Sequence, residues 1–297
     1  MKELFKACIR IRVDALKLLF VNLLKIVFFK ITLNEYFTAL EVFRINSRLR
    51  FWKTIYLNLR TMPWRLARKT PVWVYGDIRY FDLSGSILPL PSTNVQAGTF
   101  RLGHMDPTRS CGEVTAILLS GTIFFGNKVE LRQGAKVRVS GELVLHDGVF
   151  VADNSNFSVR KSCTICCNTL IANNTSFMDN DVHYLVDIKS KEIKCNYSPI
   201  IIGENNWIGP YTMIKKGSVT NRNTIIIGPG TCLCKDYTNL FPEFTLIGGT
   251  PPKLIKEGYR LVFNFENEKY LNAYFSQNDK YYVSQLLDKY CTNYERK

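Results

Sequence analysis

The chain has 297 residues, 46% hydrophobic and 22% charged, a balance that excludes a disordered or fibrous polypeptide and allows one large domain or two. Its formal net charge of +14 is unevenly spread, because residues 1–70 hold 15 Lys/Arg against 4 Asp/Glu. Such a block calls for an anionic partner at the N-terminal end, and a membrane surface suits it better than nucleic acid, for which the chain offers no recognition motif or aromatic platform.

Residues 1–70 contain no Gly and a single Pro, and are predicted to form a basic helical N-terminal segment. Within it, "VDALKLLFVNLLKIVFFKI" (13–31) is apolar on nearly every side but interrupted by Asp14, Lys17, Asn22, Lys25 and Lys30. Those charges spoil it as a spanning helix. They suit an interfacial helix whose Lys stems reach for headgroups, which predicts peripheral contact with an anionic membrane through residues 1–50. The same pattern also suits an amphipathic helix packed on a core. No small-residue cleavage site follows the apolar run, so a secretory signal is not expected.

From Pro71 the composition changes to short Val/Ile/Leu runs separated by Gly, Asn and Asp. Aliphatic residues recur every sixth position at Phe125, Leu131, Val137 and Leu143, then, after a phase slip, at Val159, Ile165, Ile171 and Phe177, and again at Ile202, Ile208 and Ile214. Four residues beyond many of these sit small or short polar residues: Ala135, Gly141, Thr169, Thr175, Thr212 and Ser218. A six-residue unit describes a coil with flat sides, each side a short strand with an inward aliphatic and each corner a Gly or Asn that accepts positive φ. Residues 71–256 are therefore predicted to be a mainly β solenoid, and 257–297 a Tyr-rich helical extension that caps its open end or packs against a neighbour.

Nine cysteines at positions 8, 111, 163, 166, 167, 195, 232, 234 and 291 follow no disulfide framework, which predicts a reducing, cytoplasmic compartment. "CTICC" (163–167) has no second Cys pair or His cluster to complete a metal site and is expected to pack as small thiols. No metal is expected. The three histidines are His104, His146 and His183. His104 in "RLGHMDP" and His146 in "VLHDG" are predicted in turns or on the surface. "FMDNDVHYLVD" (177–187) sets His183 among Asp179, Asp181 and Asp187. If 179–183 is extended, Asp179, Asp181 and His183 share one face, with a carboxylate placed to fix an imidazole tautomer. The bland alternative is a polar turn capped by Asp179 and Asn180.

The stretch "IIIGENNWIGPYTMIKKGSVTNRNTIIIGPGTCLCKDYTNLFPEFTLIGGTPPKLIK" (200–256) resembles the C-terminal half of hexapeptide-repeat acyltransferases. The resemblance extends over about residues 75–256. "FMDNDVH" and "TIYLNLRTMPWRLARKTPVWVYG" (54–76) are similar to the branch that acetylates sugars of bacterial capsule or O-antigen. It implies a left-handed parallel β-helix working as a homotrimer, with acetyl-CoA as co-substrate and a sugar or glycan acceptor. By the same resemblance His183 is the base, with Asp181 and then Asp179 as its orienting carboxylates. Coenzyme A would meet Pro210, Pro229, Cys234, Lys235, Lys253 and Lys256, the lysines supplying ammonium groups for a polyanion. Asn154 and Asn156 are candidates for binding the sugar, although Asn is also the ordinary corner residue of such a coil.

Three departures from the family pattern stand out. Pro210 has no N–H where a thioester-carbonyl donor is usual, leaving the Gly209 or Tyr211 amide as a substitute. Asn221-Arg222 replaces Ile-Gly, and the repeat slips by one residue before Ile227, as a local bulge would make it. The expected protein is a cytoplasmic O-acetyltransferase of surface polysaccharide, peripheral to the inner face of the membrane. The alternatives are an N-acetyltransferase of a nucleotide-linked amino sugar and a noncatalytic β-helix scaffold.

Overall fold

The computed structural model describes residues 48–104, 113–262 and 265–277, with a few positions of a helical stretch between residues 3 and 13. The apolar run 13–31 and most of the predicted membrane-contacting segment lie outside the described residues. Among the described residues, helices α1 (Phe51–Thr61) and α2 (Trp64–Ala67) precede 21 strands, and helix α3 (Phe265–Phe275) follows them.

The strands make three sheets of nine, seven and five members. The chain visits them in rotation: Val129–Arg132 lies in the first, Lys136–Val139 in the second, Glu142–Leu145 in the third, and Phe150–Val151 returns to the first. Neighbouring strands pair in parallel throughout, except at the last pair of the first sheet. This is the predicted three-sided parallel β-helix, each turn hydrogen-bonded to the next at about 4.8 Å.

The residues at the sixfold positions point inward and fill the tube; Phe125, Leu131, Leu143, Ile165, Phe177, Ile202, Ile208 and Ile214 are all fully buried. The phase slip has a physical cause. Strands of the second and third sheets each carry two inward residues, Val137 with Val139 and Leu143 with Leu145. Glu142 therefore pairs with Ser162, twenty residues on. Later, Trp207 pairs with Ile225, eighteen on. The middle turns are longer than three hexapeptides, and the extra residues sit at the corner between the second and third sheets.

The corners explain the small and polar residues. Lys128, Gly148, Asn168, Asn205 and Asn223 stack at one corner with φ between 55° and 70°, and Gly134, Asn154, Asn174, Tyr211 and Gly230 stack at the next with φ between 57° and 84°. The threonines close these bends: Thr175 and Thr212 donate their hydroxyls to Ala172 O at 2.8 Å and Gly209 O at 2.7 Å. Ser218 does the same to Lys215 O at 2.6 Å. At the third corner Gly121 and Gly141 run so close to the next turn that a Cβ would lie 2.1 and 2.2 Å from a carbonyl oxygen.

Both ends of the tube are closed. Helix α1 lies on the first strand and satisfies its free edge with side chains: the Asn58 amide donates to Val72 O and accepts from Val72 N–H, while Thr54 Oγ1 accepts from Val74 N–H. At the far end Lys253–Glu257 turns back antiparallel to Thr245–Gly248. That strand, and not the predicted helical extension, pairs with the edge of the first sheet's last parallel strand. The predicted slip before Ile227 does not occur. Ile226 is the inward residue, continuing the sixfold phase from Ile208 and Ile214, and Ile227 faces outward. Asn221 anchors the following loop instead, its amide donating to Thr238 O and Phe241 O.

Candidate active site

His183 stands on residues 180–197, which leave the tube between the second-sheet strand Ser176–Met178 and the third-sheet strand Ile200–Ile202. This is the corner where the middle turns carry their extra residues. The base of the insertion is locked twice. Asp179 is fully buried, and its carboxylate accepts the backbone N–H groups of Arg160, Lys161 and Ser162 at 2.8, 2.6 and 2.9 Å, and the Asn180 amide at 2.9 Å. The Arg160 guanidinium in turn lies over the rings of Tyr184 and Tyr197, 5.9 and 5.5 Å from their centroids. Four donors on one carboxylate offset its burial.

Beyond Asp179 the segment is not the extended strand the sequence suggested. Val182 takes φ 64°, Asn180 makes only an isolated bridge to Tyr197, and His183 N–H returns to Asp181 O at 2.6 Å. The three side chains therefore do not share a face: Asp179 is buried, Asp181 is half-exposed and His183 is exposed. Asp181 pairs with Lys216, and with Lys215 at 3.5 Å. The bond to Lys216, reinforced by both ammonium charges and together outweighing the opposing desolvation, holds the Asp181 carboxyl below its usual range. Neither aspartate bonds the imidazole among the described residues. The carboxylate–imidazole pair expected from Asp-x-His is replaced by a carboxylate–lysine pair next to the imidazole.

His183, Asp181, Lys216 and Lys194 line one cleft of about 290 Å³ with Leu185 and Val186. Lys215 and Lys216 are not among the residues that the sequence singles out. The visible signal is "MIKKGS", two consecutive cations where the second-sheet strand Met213–Lys215 ends. Asp187 belongs to the loop, accepting the N–H groups of Lys189 and Ser190.

None of the six expected coenzyme positions lines this cleft. Pro210 and Pro229 occupy successive turns of one corner, where a Cβ on Gly228 would meet Pro210 O. Cys234 and Lys235 follow the last second-sheet strand, and Lys253 and Lys256 are exposed on the closing antiparallel strand. The substitute donors for Pro210 are already engaged, Gly209 N–H with Ile226 O at 2.8 Å and Tyr211 N–H with Asn173 O at 3.2 Å. Asn154 is a corner residue with φ 60°, its Oδ1 directed at the Gly134 corner. Asn156 faces outward on the second sheet and lines a separate cleft.

The other histidines and the cysteine cluster lie outside this cleft. His104 ends a strand rather than a turn, with Nδ1 3.1 Å from Glu130 Oε1 and its ring edge-on to Tyr75. His146 follows the strand Glu142–Leu145. Cys163 is buried in the core, which raises its thiol pKa, and burial, with Glu204 nearby, pushes Cys166 up to about 11. Among the described residues no group of three or more His, Cys, Asp or Glu could hold a metal ion. Another cleft, of about 600 Å³, lies by Asn94, Gln96, Arg101 and Glu130 and contains no histidine or cysteine.

No protein-family model and no curated protein matches the chain. Among solved structures, the polySia-specific acetyltransferase NeuO is 18% identical with a TM-score of 0.36, covering 70% of this chain and 98% of its own. The polysialic acid O-acetyltransferase OatWY is 16% identical with a TM-score of 0.38, covering 67% and 99%. The N-acyltransferase AntD from Bacillus cereus, as a D94N mutant in complex with dTDP and coenzyme A, is 11% identical with a TM-score of 0.36, covering 69% and 88%. Likeness this distant carries no functional weight, and the chain's own residues have to supply the chemistry.

Proposed function

We propose that the chain is an acyl-CoA-dependent O-acetyltransferase of a glycan, with His183 as its general base. The observation that carries this reading is the exposed imidazole beside Lys216, in a cleft at the root of an insertion that two independent contacts clamp to a rigid solenoid. Acetyl-CoA supplies an activated acyl group. The rest needs a base for the hydroxyl proton and a positive group near the developing oxyanion. His183 takes the proton from the acceptor hydroxyl and afterwards holds it for the departing thiolate. Lys216 keeps N–H donors beyond its bond to Asp181 and supplies the oxyanion contact that Pro210, Gly209 and Tyr211 do not. Asp181 acts on Lys216, fixing where that ammonium points.

The lysines of the last turns suit a polyanionic donor. Lys253 and Lys256 are exposed, and among the described residues neither has a carboxylate partner within 4 Å; Lys256 lies over Tyr259 at 5.3 Å. Leu185 and Ile188, 80% and 87% exposed, give the insertion an apolar ridge that a second copy of the chain would cover, in keeping with a homotrimer whose sites form between subunits. The domain division at residues 70 and 256 belongs to the same reading, as does a cytoplasmic protein touching the membrane's inner face. No helix among the described residues is long and apolar enough to cross a membrane. Trp52, Tyr56, Leu59 and Trp64 are exposed beside Arg60 and Arg65, a mix of rings and cations suited to an interface.

The decisive experiment is thiol release from acetyl-CoA with glycan acceptors, wild type against His183→Gln. Loss of a general base predicts a fall of about 10²–10⁴-fold with coenzyme A binding unchanged. Unaltered turnover by the variant would refute the assignment.

A further inference from the structure

The outward residues of the second sheet form two columns that climb the tube. Lys136 pairs in register with Asn156 and then Ser176, and Arg138 with Ser158 and then Met178. Between them lies a cleft of about 430 Å³ lined from Phe81, through Lys136, Arg138, Asn156 and Ser158, up to Met178 and Val182. It crosses five successive turns, roughly 19 Å at the usual strand spacing. Its upper end is the segment that carries the base: Met178 and Val182 line this cleft, while Asp181 and His183 line the smaller one.

The lining is chemically one-sided. It contains two cations and no carboxylate. Lys136 and Arg138 are exposed, and among the described residues neither has an acidic partner within 4 Å. The carboxylate nearest in register to Arg138, Asp82, is occupied by the N–H and hydroxyl of Ser84. Phe81, 68% exposed, offers a ring face at the lower end, and Asn156 and Ser158 offer hydrogen bonds in the middle. A ring to stack on, amide and hydroxyl groups for sugar hydroxyls, and two cations side by side on one rung are what an extended, negatively charged glycan needs.

We propose that this cleft is the acceptor subsite and that the acceptor is an anionic glycan, bearing carboxylate or phosphate groups, lying along the second sheet with its reacting end at Val182. This rests on the acetyltransferase reading for the reaction, but binding can be tested without it. Arg138 pairs the anion in bidentate fashion, Lys136 adds a second charge, and the 178–183 segment separates polymer binding from chemistry.

The test is calorimetric titration of the full-length chain with three oligosaccharides of matched length: oligogalacturonate for carboxylate, a phosphomannan fragment for phosphate, and dextran as the neutral control. At least one anionic probe should bind about ten-fold or more tighter than dextran, the value of one good charge-assisted contact. The two probes decide which anion is preferred. Arg138→Gln with Lys136→Gln should remove that preference and its salt dependence. Both positions are exposed, so circular dichroism should be unchanged. His183→Gln should bind as the wild type does. Equal binding of charged and neutral probes, or a double variant that keeps the preference, would overturn the proposal. Acetyl transfer to dextran with no effect of the double variant would leave the enzyme standing and sink this subsite. Charge-selective binding without any thiol release would do the reverse.

Discussion

The turn that ends at Phe177 and the insertion that starts at Asn180 are separated by two residues and built on opposite rules. In the turn, alternate residues are buried and Phe157 stacks on Phe177 at 4.7 Å with planes 3° apart. In the insertion, Val182, Tyr184, Leu185, Val186, Ile188 and Ile193 are all more than half exposed. The turn uses apolar residues for stability; the insertion presents them outward, where only a partner or a ligand gives them a role. Asp179 is the joint between the two, a carboxylate whose burial belongs to the turn and whose successors belong to the cleft.

That contrast can be broken in graded steps. Phe177→Ala should cost about 3–5 kcal/mol in denaturant unfolding, because it empties a fully buried stacked ring; a loss below about 1 kcal/mol would mean the turn is not the rigid frame. Asp179→Ala should cost about 3 kcal/mol, since three backbone N–H groups lose their acceptor. It should also speed limited proteolysis within 180–197, while Asp179→Asn recovers part of both effects. Smallest is Asp181→Asn, expected to cost under about 1 kcal/mol because the pair is largely solvated. Its pH dependence has a fixed sign. The folded-state carboxyl titrates below its ordinary value, so the Asp181 contribution is present above about pH 4 and lost as pH falls through the lowered value. Unfolding curves of wild type and variant should thus differ by a constant amount at neutral pH and converge in acid. Convergence toward alkaline pH instead would show that another group is being read.

The tube was legible in the sequence because its rule is local: one inward residue per side and one bend-tolerant residue per corner, as Leu131 and Gly134 show. The longer middle turns were visible only as a slip, since a second inward residue such as Val139 or Leu145 cannot be told from a strand's ordinary alternation. For the same reason the sequence suggests a slip before Ile227, because Ile226 and Ile227 are equal side chains and the inward facing of Ile226 is decided by its pairing with Ile208 and Ile247. The site was less readable. Asp179 and Asp181 look alike in "DND", and only the three amides of the preceding corner make the first structural. Lys216 gave no motif at all, because its meaning depends on a carboxylate thirty-five residues earlier in the chain.

The glycines at 121 and 141 hold the third corner in phase from one turn to the next. Because Thr122 and Glu142 are register partners, excising residues 122–141 would join Gly121 to Glu142 across the same bend, with every later contact unchanged. The solenoid therefore has a built-in ruler graduated in whole turns, and the separation of helix α1 from the imidazole can be shortened by about 4.8 Å at a time without redesigning either end.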